Sequence, residues 1–144
     1  MMHPDALAAL LGGSCLAIVL ILIGIAVVPL VFYCLSMSKA LTQVGPENRN
    51  MEPGMVWLLF IPVFHLVWHF FVVKNVSNGV KAWAAAHGRE VGDGGWSIGL
   101  TACILACCCI IPVLGALCSL GALVCIIIWW IKVAGYNAMM QGQG

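Results

Sequence analysis

Two histidines in an apolar segment are the residues whose type and spacing could do chemistry. His65 and His69 lie four positions apart, which places both imidazoles on one face of a helix. Imidazole binds metal ions and titrates near neutral pH, so the pair could ligate a haem, a chlorophyll-type pigment or copper. The alternative is structural: Pro62 shares this face, and a histidine could bond to a carbonyl that the proline leaves without a donor. We favour the structural interpretation because no other histidine lies in an apolar segment.

This interpretation makes separate predictions for the two rings. His65 is expected near the middle of its helix, where an imidazole without a partner is costly in an apolar environment. We therefore predict that His65 faces protein and bonds to a backbone carbonyl or a hydroxyl. His69, closer to Trp68, is expected to be partly hydrated. Neither residue is assigned to a metal site.

The eight cysteines form the second candidate set. Consecutive helical residues point about 100° apart, so the run at positions 107–109 cannot converge on one ion while it is helical. Small residues instead recur at helical spacing, which allows two helices to pack closely. We predict that the packing stripes of two neighbouring helices are Gly99, Cys103 and Cys107 on one and Gly115, Ser119 and Ala122 on the other. Copper handling or acylation of the thiols is the alternative.

Long apolar stretches without fixed charge must position these residues. No Asp, Glu, Lys or Arg occurs in the ranges 15–35, 55–73 and 98–131, and the chain is 63% hydrophobic and only 8% charged. A soluble domain carries roughly 25% charged residues. The pattern indicates an all-α integral membrane protein. It disfavours a proton relay or catalysis within the membrane, because the apolar runs contain no carboxylate.

The lengths of the apolar runs predict four transmembrane helices, since a crossing needs roughly 20 apolar residues. We place them at 15–35, 55–73, 96–111 and 116–133 of a single domain that covers 1–144. Pro29 and Pro62 are expected to kink the first two helices. The last two are expected to form a C-terminal helical hairpin with its turn at Pro112–Gly115. Both are shorter than an average crossing, so a thin local bilayer or a re-entrant hairpin is an alternative, and three crossings are the main competitor to four.

Two further segments are predicted to be amphipathic helices at the membrane surface. The first segment is 36–44, where apolar residues recur at helical spacing from Cys34 onward. The second is 74–86, where an apolar stripe that begins at Val73 lies opposite a face with lysine and asparagine. The apolar positions are Cys34, Met37, Leu41 and Val44 in the first segment and Val73, Val76, Val80 and Trp83 in the second. An apolar stripe opposite a polar face is typical of an interfacial helix.

The distribution of Lys and Arg predicts the orientation. Four crossings put Lys74, Lys81, Arg89 and Lys132 on one side and only Lys39 and Arg49 on the other. Cytoplasmic loops are enriched in Lys and Arg, so both termini are expected to be cytoplasmic. Most tryptophans, at positions 68, 83, 96, 129 and 130, also fall near this side, as in an aromatic belt.

One long segment resembles small bacterial membrane proteins of unknown function. The sequence GPENRNMEPGMVWLLFIPVFHLVWHFFVVKNVSNGVKA contains the shared pattern NR-x-M-x-PG-x-VWL, an IP-x-F element and a W-x-FF element, and IIPVLGALCSLGALVCIIIWWIKVAGYN resembles the end of the same proteins. The resemblance implies a multi-pass protein of the bacterial inner membrane with four crossings at most. It implies no catalytic residue. Where such proteins often have Asn and Gln, this chain has His65 and His69.

These observations favour a non-enzymatic membrane protein. We expect an oligomer-forming or accessory subunit, a scaffold within a membrane assembly, with the lipid bilayer and either copies of itself or a larger membrane complex as its partners. A net charge of +1 gives no reason to expect nucleic acid. The alternative is a membrane protein for electron transfer or pigment binding that holds its cofactor or metal through His65 and His69.

Overall fold

The structure is a computed structural model that describes residues 4–109 and 115–142. All regular elements among these residues are helices, with no strand, so the predicted all-α class is confirmed. The elements are α1 (Pro4–Gln43), a 3-10 helix (Pro53–Phe60), α2 (Pro62–Ala86), α3 (Trp96–Cys108) and α4 (Gly115–Gln141).

Two of the helices are long and apolar enough to cross a membrane. They are the Gly13–Gln43 part of α1 and the whole of α4, Gly115–Gln141. The helix α3 is apolar but shorter, with 13 residues. Because α2 does not meet the same criterion within the described residues, the predicted count of four crossings is not confirmed.

The internal contacts of the chain divide it into two compact units, and the expected single domain stays a prediction. The first unit is Met1–Tyr33 and the second is Cys34–Gly144, so the division falls within α1. In the first unit, Pro29 lies inside an uninterrupted helix. Large apolar side chains of this unit are exposed, among them Leu16 at 62% and Ile25 at 65%.

The second predicted membrane helix, 55–73 with a kink at Pro62, is replaced by two separate elements. A 3-10 helix ends at Phe60, and α2 begins at Pro62, which occupies its first turn. Ile61 between them is extended, with φ −84° and ψ 110°. The proline ring disfavours the helical conformation for the residue before it, here Ile61. Proline itself is tolerated at the first helical position, because a backbone N–H there would have no partner within the helix. Pro62 therefore starts a helix instead of bending one.

The two amphipathic segments are continuous with longer helices, and their apolar stripes face protein. The segment 36–44 belongs almost entirely to α1, and 74–86 is the second half of α2. All eight stripe residues are buried, from Cys34 at 0% to Trp83 at 6% exposure. Lys74 and Lys81, on the opposite face of α2, are exposed. The amphipathic pattern is present, but the core of the second unit, not the membrane surface, covers its apolar side.

The C-terminal hairpin consists of α3 and α4, which pack closely against each other, while α3 also packs against α2. The predicted spans 96–111 and 116–133 correspond to Trp96–Cys108 and Gly115–Gln141. Positions 110–114, which include most of the predicted turn, lie outside the described residues. The helix α4 runs beyond its predicted end, past Lys132.

Residues expected on opposite sides of the membrane are in contact. A Cβ placed on Gly79 would lie 3.2 Å from a methyl carbon of Val44 and 3.4 Å from the carbonyl oxygen of Asn48. The four-crossing arrangement puts Val44 and Asn48 on the opposite side of the membrane from Gly79. Trp83 and Trp129, used as interface markers, are 6% and 0% exposed and lie in the protein core. The predicted arrangement of the loops is therefore corrected by these contacts.

Candidate functional site

His65 joins the 3-10 helix to α2. Its Nδ1 lies 2.7 Å from the carbonyl oxygen of Leu59. Because a carbonyl oxygen only accepts, Nδ1 carries the proton and donates it. Leu59 lies just before the extended Ile61, at a chain break that Pro62 enforces. The prediction that His65 faces protein and bonds to a backbone carbonyl is confirmed.

His69 lies one turn further along α2 and is only 4% exposed, so the prediction of partial hydration is wrong. Its ring centroid is 5.6 Å from that of His65 and 6.3 Å from that of Trp129 on α4. The α2 face that carries the histidines is therefore covered by the tryptophan of a neighbouring helix. This contact contributes to the burial of His69 between α2 and α4.

The surroundings of the two imidazoles limit what they could bind. Among residues 4–109 and 115–142, no group of three or more His, Cys, Asp or Glu side chains is arranged to hold a metal ion. A structural zinc site needs four such ligands. Haem, pigment or copper ligation by His65 and His69 stays the alternative hypothesis.

Cys103 and Cys107 face a groove between α2 and α3 rather than α4. Cys103 is 6% exposed and Cys107 is exposed. The groove has a volume of about 460 Å³ and an almost entirely apolar lining, formed by Leu66, Val67, Phe70, Leu100, Cys103, Ile104, Cys107 and Cys108. Gly99, the third member of the predicted stripe, lies against Val73 of α2 and the indole of Trp129.

The contact between α3 and α4 includes residues that we did not predict. A Cβ on Gly121 would lie 3.2 Å from Leu105, and one on Gly115 would lie 2.9 Å from the carbonyl oxygen of Cys109. Of the predicted α4 stripe, Gly115 is in this contact and Ala122 is buried, but Ser119 is exposed. On α3, Gly99 and Leu105 lie against α4, whereas Cys103 and Cys107 line the groove with α2. The full stripe-to-stripe packing therefore stays a prediction.

Sequence reasoning missed the close approach at Gly94 and Gly95. Both residues have positive φ, 62° and 83°, which favours glycine. A Cβ on Gly94 would lie 2.6 Å from the carbonyl oxygen of Ser77, and one on Gly95 would lie 3.1 Å from the Trp129 indole. The signal was present as Asp93-Gly94-Gly95 directly before an apolar run, which is typical of a turn that starts a helix.

Asp93 caps the N-terminus of α3. Its carboxylate accepts hydrogen bonds from the backbone N–H of Ser97 at 2.8 Å and of Gly95 at 2.9 Å. Gly95 occupies the cap position and has no side chain, so Asp93 supplies the acceptor. Hydrogen bonds from Ser97, first from its side chain and then from its backbone, lower the pKa of the Asp93 carboxyl from 3.8 to about 2, and Gly95 and Lys132 add to this effect.

Polar side chains also join α4 to the C-terminal part of α1. The Trp130 indole N–H donates to the Ser36 hydroxyl at 2.8 Å, and the Asn137 amide donates to the Ser36 carbonyl at 3.1 Å. Asn137 is 6% exposed. These bonds use the polar atoms to fix helices against each other.

Comparisons with known proteins identify no relative. No family model, curated protein or solved structure matches the chain. The resemblance to small bacterial membrane proteins therefore stays a prediction from the sequence.

Proposed function

We propose that this protein is a non-enzymatic integral membrane protein, an accessory or scaffold subunit that assembles with copies of itself or within a larger complex of the bacterial inner membrane. The observation that supports it best is the outer surface of α4. Its large apolar side chains point outward, with Leu117 at 73%, Leu120 at 64% and Ile131 at 65% exposure. Soluble monomers rarely expose contiguous apolar patches larger than a few hundred Å².

The second unit has an apolar core that includes three polar residues, and it also exposes many large apolar side chains. His69, Ser77 and Asn137 are buried, whereas the exposed set includes Phe64, Val67, Phe70, Phe71, Ile104, Leu123, Val124, Ile127 and Ile128. Lipid is an apolar environment that accommodates such an exterior without a hydrophobic penalty. This distribution supports an exterior that faces lipid or the apolar surface of a partner.

The polar groups that come together in the described residues support a structural role. His65 holds the 3-10 helix, Asp93 caps α3, and Ser36 joins α1 to α4. Each of these hydrogen bonds joins a side chain to the backbone or to a side chain of a neighbouring helix. A catalytic site would instead aim several titratable groups at one open position.

Association with other helices is supported by small residues that the internal contacts leave exposed. Ser119 on α4 and Cys107 on α3 are both exposed. In lipid, small residues let helix backbones approach closely. Purification in a mild detergent, followed by mass measurement, tests the proposal. We expect particles that contain more than one 15.3-kDa chain or a co-purifying partner; a lone monomer would contradict the proposed assembly.

A matched pair of variants locates the association surface. Ser119→Leu is expected to reduce the assembled fraction because it fills the approach surface. Leu117→Met, on the same helix and also exposed, is expected to leave assembly unchanged. Equal assembly in both variants would remove Ser119 from the proposed surface.

The alternative function is electron transfer or pigment binding through His65 and His69. It is favoured by the 5.6 Å separation of the two rings, which lets both reach one bound group. An absorption spectrum and a metal analysis of the purified protein test it. A visible chromophore or stoichiometric copper that is lost in His65→Phe would establish this alternative in place of the scaffold.

A further inference from the structure

The two polar loops of the second unit lie at the same end of α2. Residues Val44 and Asn48, at the first loop, lie against Gly79. In the second loop, Gly94 lies against Ser77, with the Lys81 side chain 3.1 Å from its Cβ position. Gly79 is between Ser77 and Lys81 on α2, so both loops pack beside the same two turns.

The 3-10 helix and the first half of α2 form an antiparallel hairpin. The Trp68 indole donates to the Met55 carbonyl at 2.7 Å, and His65 donates to the Leu59 carbonyl at 2.7 Å. The two bonds pair Met55 with Trp68 and Leu59 with His65, so the segments run antiparallel, with Ile61 at the turn. Eight residues of 3-10 helix span about 16 Å, about half of the hydrocarbon core.

The helices α3 and α4 form a second antiparallel hairpin. Gly99 lies against Trp129, Leu105 against Gly121, and the Cys109 carbonyl against Gly115. The 13 residues of α3 span about 20 Å, less than a typical crossing.

Both hairpins point the same way. Gly94 and Gly99, at the start of α3, lie against Ser77 and Val73, so α3 runs antiparallel to α2. The far part of α3, at Cys107, shares the apolar groove with Leu66 near the start of α2. The Ile61 turn and the end of α3 are therefore at one end of the unit, and both polar loops are at the other.

Charge follows the same division. The two polar loops carry Arg49, Arg89 and four of the five acids, and Lys81 and Lys132 lie beside Gly94 and Gly95 of the second loop. Lys39 lies four residues before the end of α1, and Lys74 lies five residues before Gly79 on α2. Lys132 belongs to this end because its side chain is 4.0 Å from the Cβ position of Gly95. The hairpin ends carry exposed apolar and aromatic side chains such as Trp57, Phe60 and Phe64.

We infer that the chain from Cys34 onward enters the lipid bilayer from one side only, as two hairpins whose charged end stays at the cytoplasmic surface. This inference rests on the proposed membrane location, and it specifies that the hairpin end of the second unit is embedded in lipid. The first loop, the second loop and the C-terminal end of α4 share a side. All six Lys and Arg residues then lie on that side. The four-crossing arrangement divides them four to two between the sides, so the one-sided arrangement has the stronger positive-inside bias.

Site-specific proteolysis of the full-length protein tests this arrangement. A protease recognition sequence is inserted after Asn50 in one variant and after Arg89 in another, since both residues lie in the polar loops. A third variant carries the sequence after Gly142 as the reference for the C-terminal end. Each variant is first cleaved in detergent, and an insertion that resists cleavage there is moved by one or two residues within its loop.

Membrane vesicles of known orientation then give the result. We expect all three variants to be cleaved in inside-out vesicles and protected in right-side-out vesicles, by at least tenfold in cleaved fraction. Cleavage of the Asn50 and Arg89 variants in opposite vesicle types would overturn the inference and restore a crossing between the loops. Cleavage of all three only in right-side-out vesicles would overturn the cytoplasmic assignment.

An alkaline carbonate wash separates failure of the inference from failure of the proposed function. A protein that stays in washed membranes while its loops report opposite sides retains the proposed function and loses the inference. A protein that leaves the membranes in the wash loses both.

Discussion

Gly79 of α2 lies directly against Val44, the residue that follows α1, and a Cβ added to Gly79 would lie 3.2 Å from a valine methyl carbon. Gly79→Leu is expected to lower the free energy of unfolding by about 1–3 kcal/mol, because the larger side chain overfills this contact. Denaturant titration in detergent micelles measures the change. Gly135→Leu in α4 is the control, since no atom lies within 4 Å of its Cβ position. Equal losses in both variants would show that the Val44 contact does not matter.

Gly99 of α3 lies at a close approach to both α2 and α4. A Cβ there would overlap a Val73 methyl group and lie 3.1 Å from the Trp129 indole nitrogen. Gly99→Ala is expected to cost about 1–3 kcal/mol of unfolding free energy. The double variant Gly99→Ala, Val73→Ala should lose less than the sum of the single variants, because the second change removes the overlapping methyl. Strict additivity would mean that the two residues do not meet.

The two cysteines of the predicted stripe should differ in their tolerance of larger side chains. Cys103→Leu is expected to cost about 1–3 kcal/mol because the thiol is buried. Cys107→Leu should change the unfolding free energy by less than about 0.5 kcal/mol, because its side chain is exposed. Ala at either position should be tolerated. If Ala abolished an activity that Leu preserved, thiol chemistry would replace packing as the explanation.

The hydrogen bond from His65 to Leu59 should contribute measurably to stability. His65→Phe keeps the ring size and leaves the Leu59 carbonyl without its donor, so a loss of about 1–3 kcal/mol is expected in unfolding free energy. His87→Phe is the matched control: its Nδ1 also bonds a carbonyl, that of Trp83 at 2.8 Å, but at an exposed helix end. A loss in the control as large as in His65→Phe would contradict a special role for the Leu59 bond.

Asp93 should stabilise α3 in a pH-dependent way. Asp93→Ala is expected to cost about 0.5–2 kcal/mol at neutral pH, as for loss of a helix cap. The folded-state pKa is about 2, below the ordinary 3.8, so the stabilisation is present above pH 3.8 and is lost as pH falls toward 2. The difference between the native chain and Asp93→Ala, measured against pH, should therefore shrink in this window. A constant difference would mean that the charge of the carboxylate is not involved.

The apolar stripes of α1 and α2 were the part of the fold that the sequence predicted best. Periodicity identified Met37, Leu41, Val76 and Val80 as one-sided apolar positions, and all are buried. Periodicity reports that a face avoids water, but it does not report what covers that face. Lipid and protein are both apolar, so the same pattern was interpreted as a membrane surface contact.

The number of crossings could not be read from apolar length, for a related reason. The run 55–73 is long enough for one helix, but Pro62 divides it into two antiparallel segments. A proline in an apolar run permits both a kink and a new helix, and tertiary contacts at Met55 and Leu59 decide between them. The approach of Trp129 to Gly95 and Gly99 was also hidden, because it joins residues that lie far apart in the sequence.

The central claim is that an apolar outer surface embeds this chain in a membrane. An alkaline carbonate wash of membranes that contain the full-length protein tests it most directly, because the wash releases peripheral proteins and retains embedded ones. The exposed Leu117, Leu120 and Ile131 lead us to expect the protein in the washed membrane pellet, with release only by detergent. Recovery of most of the protein in the carbonate supernatant, as a folded helical species, would contradict the account.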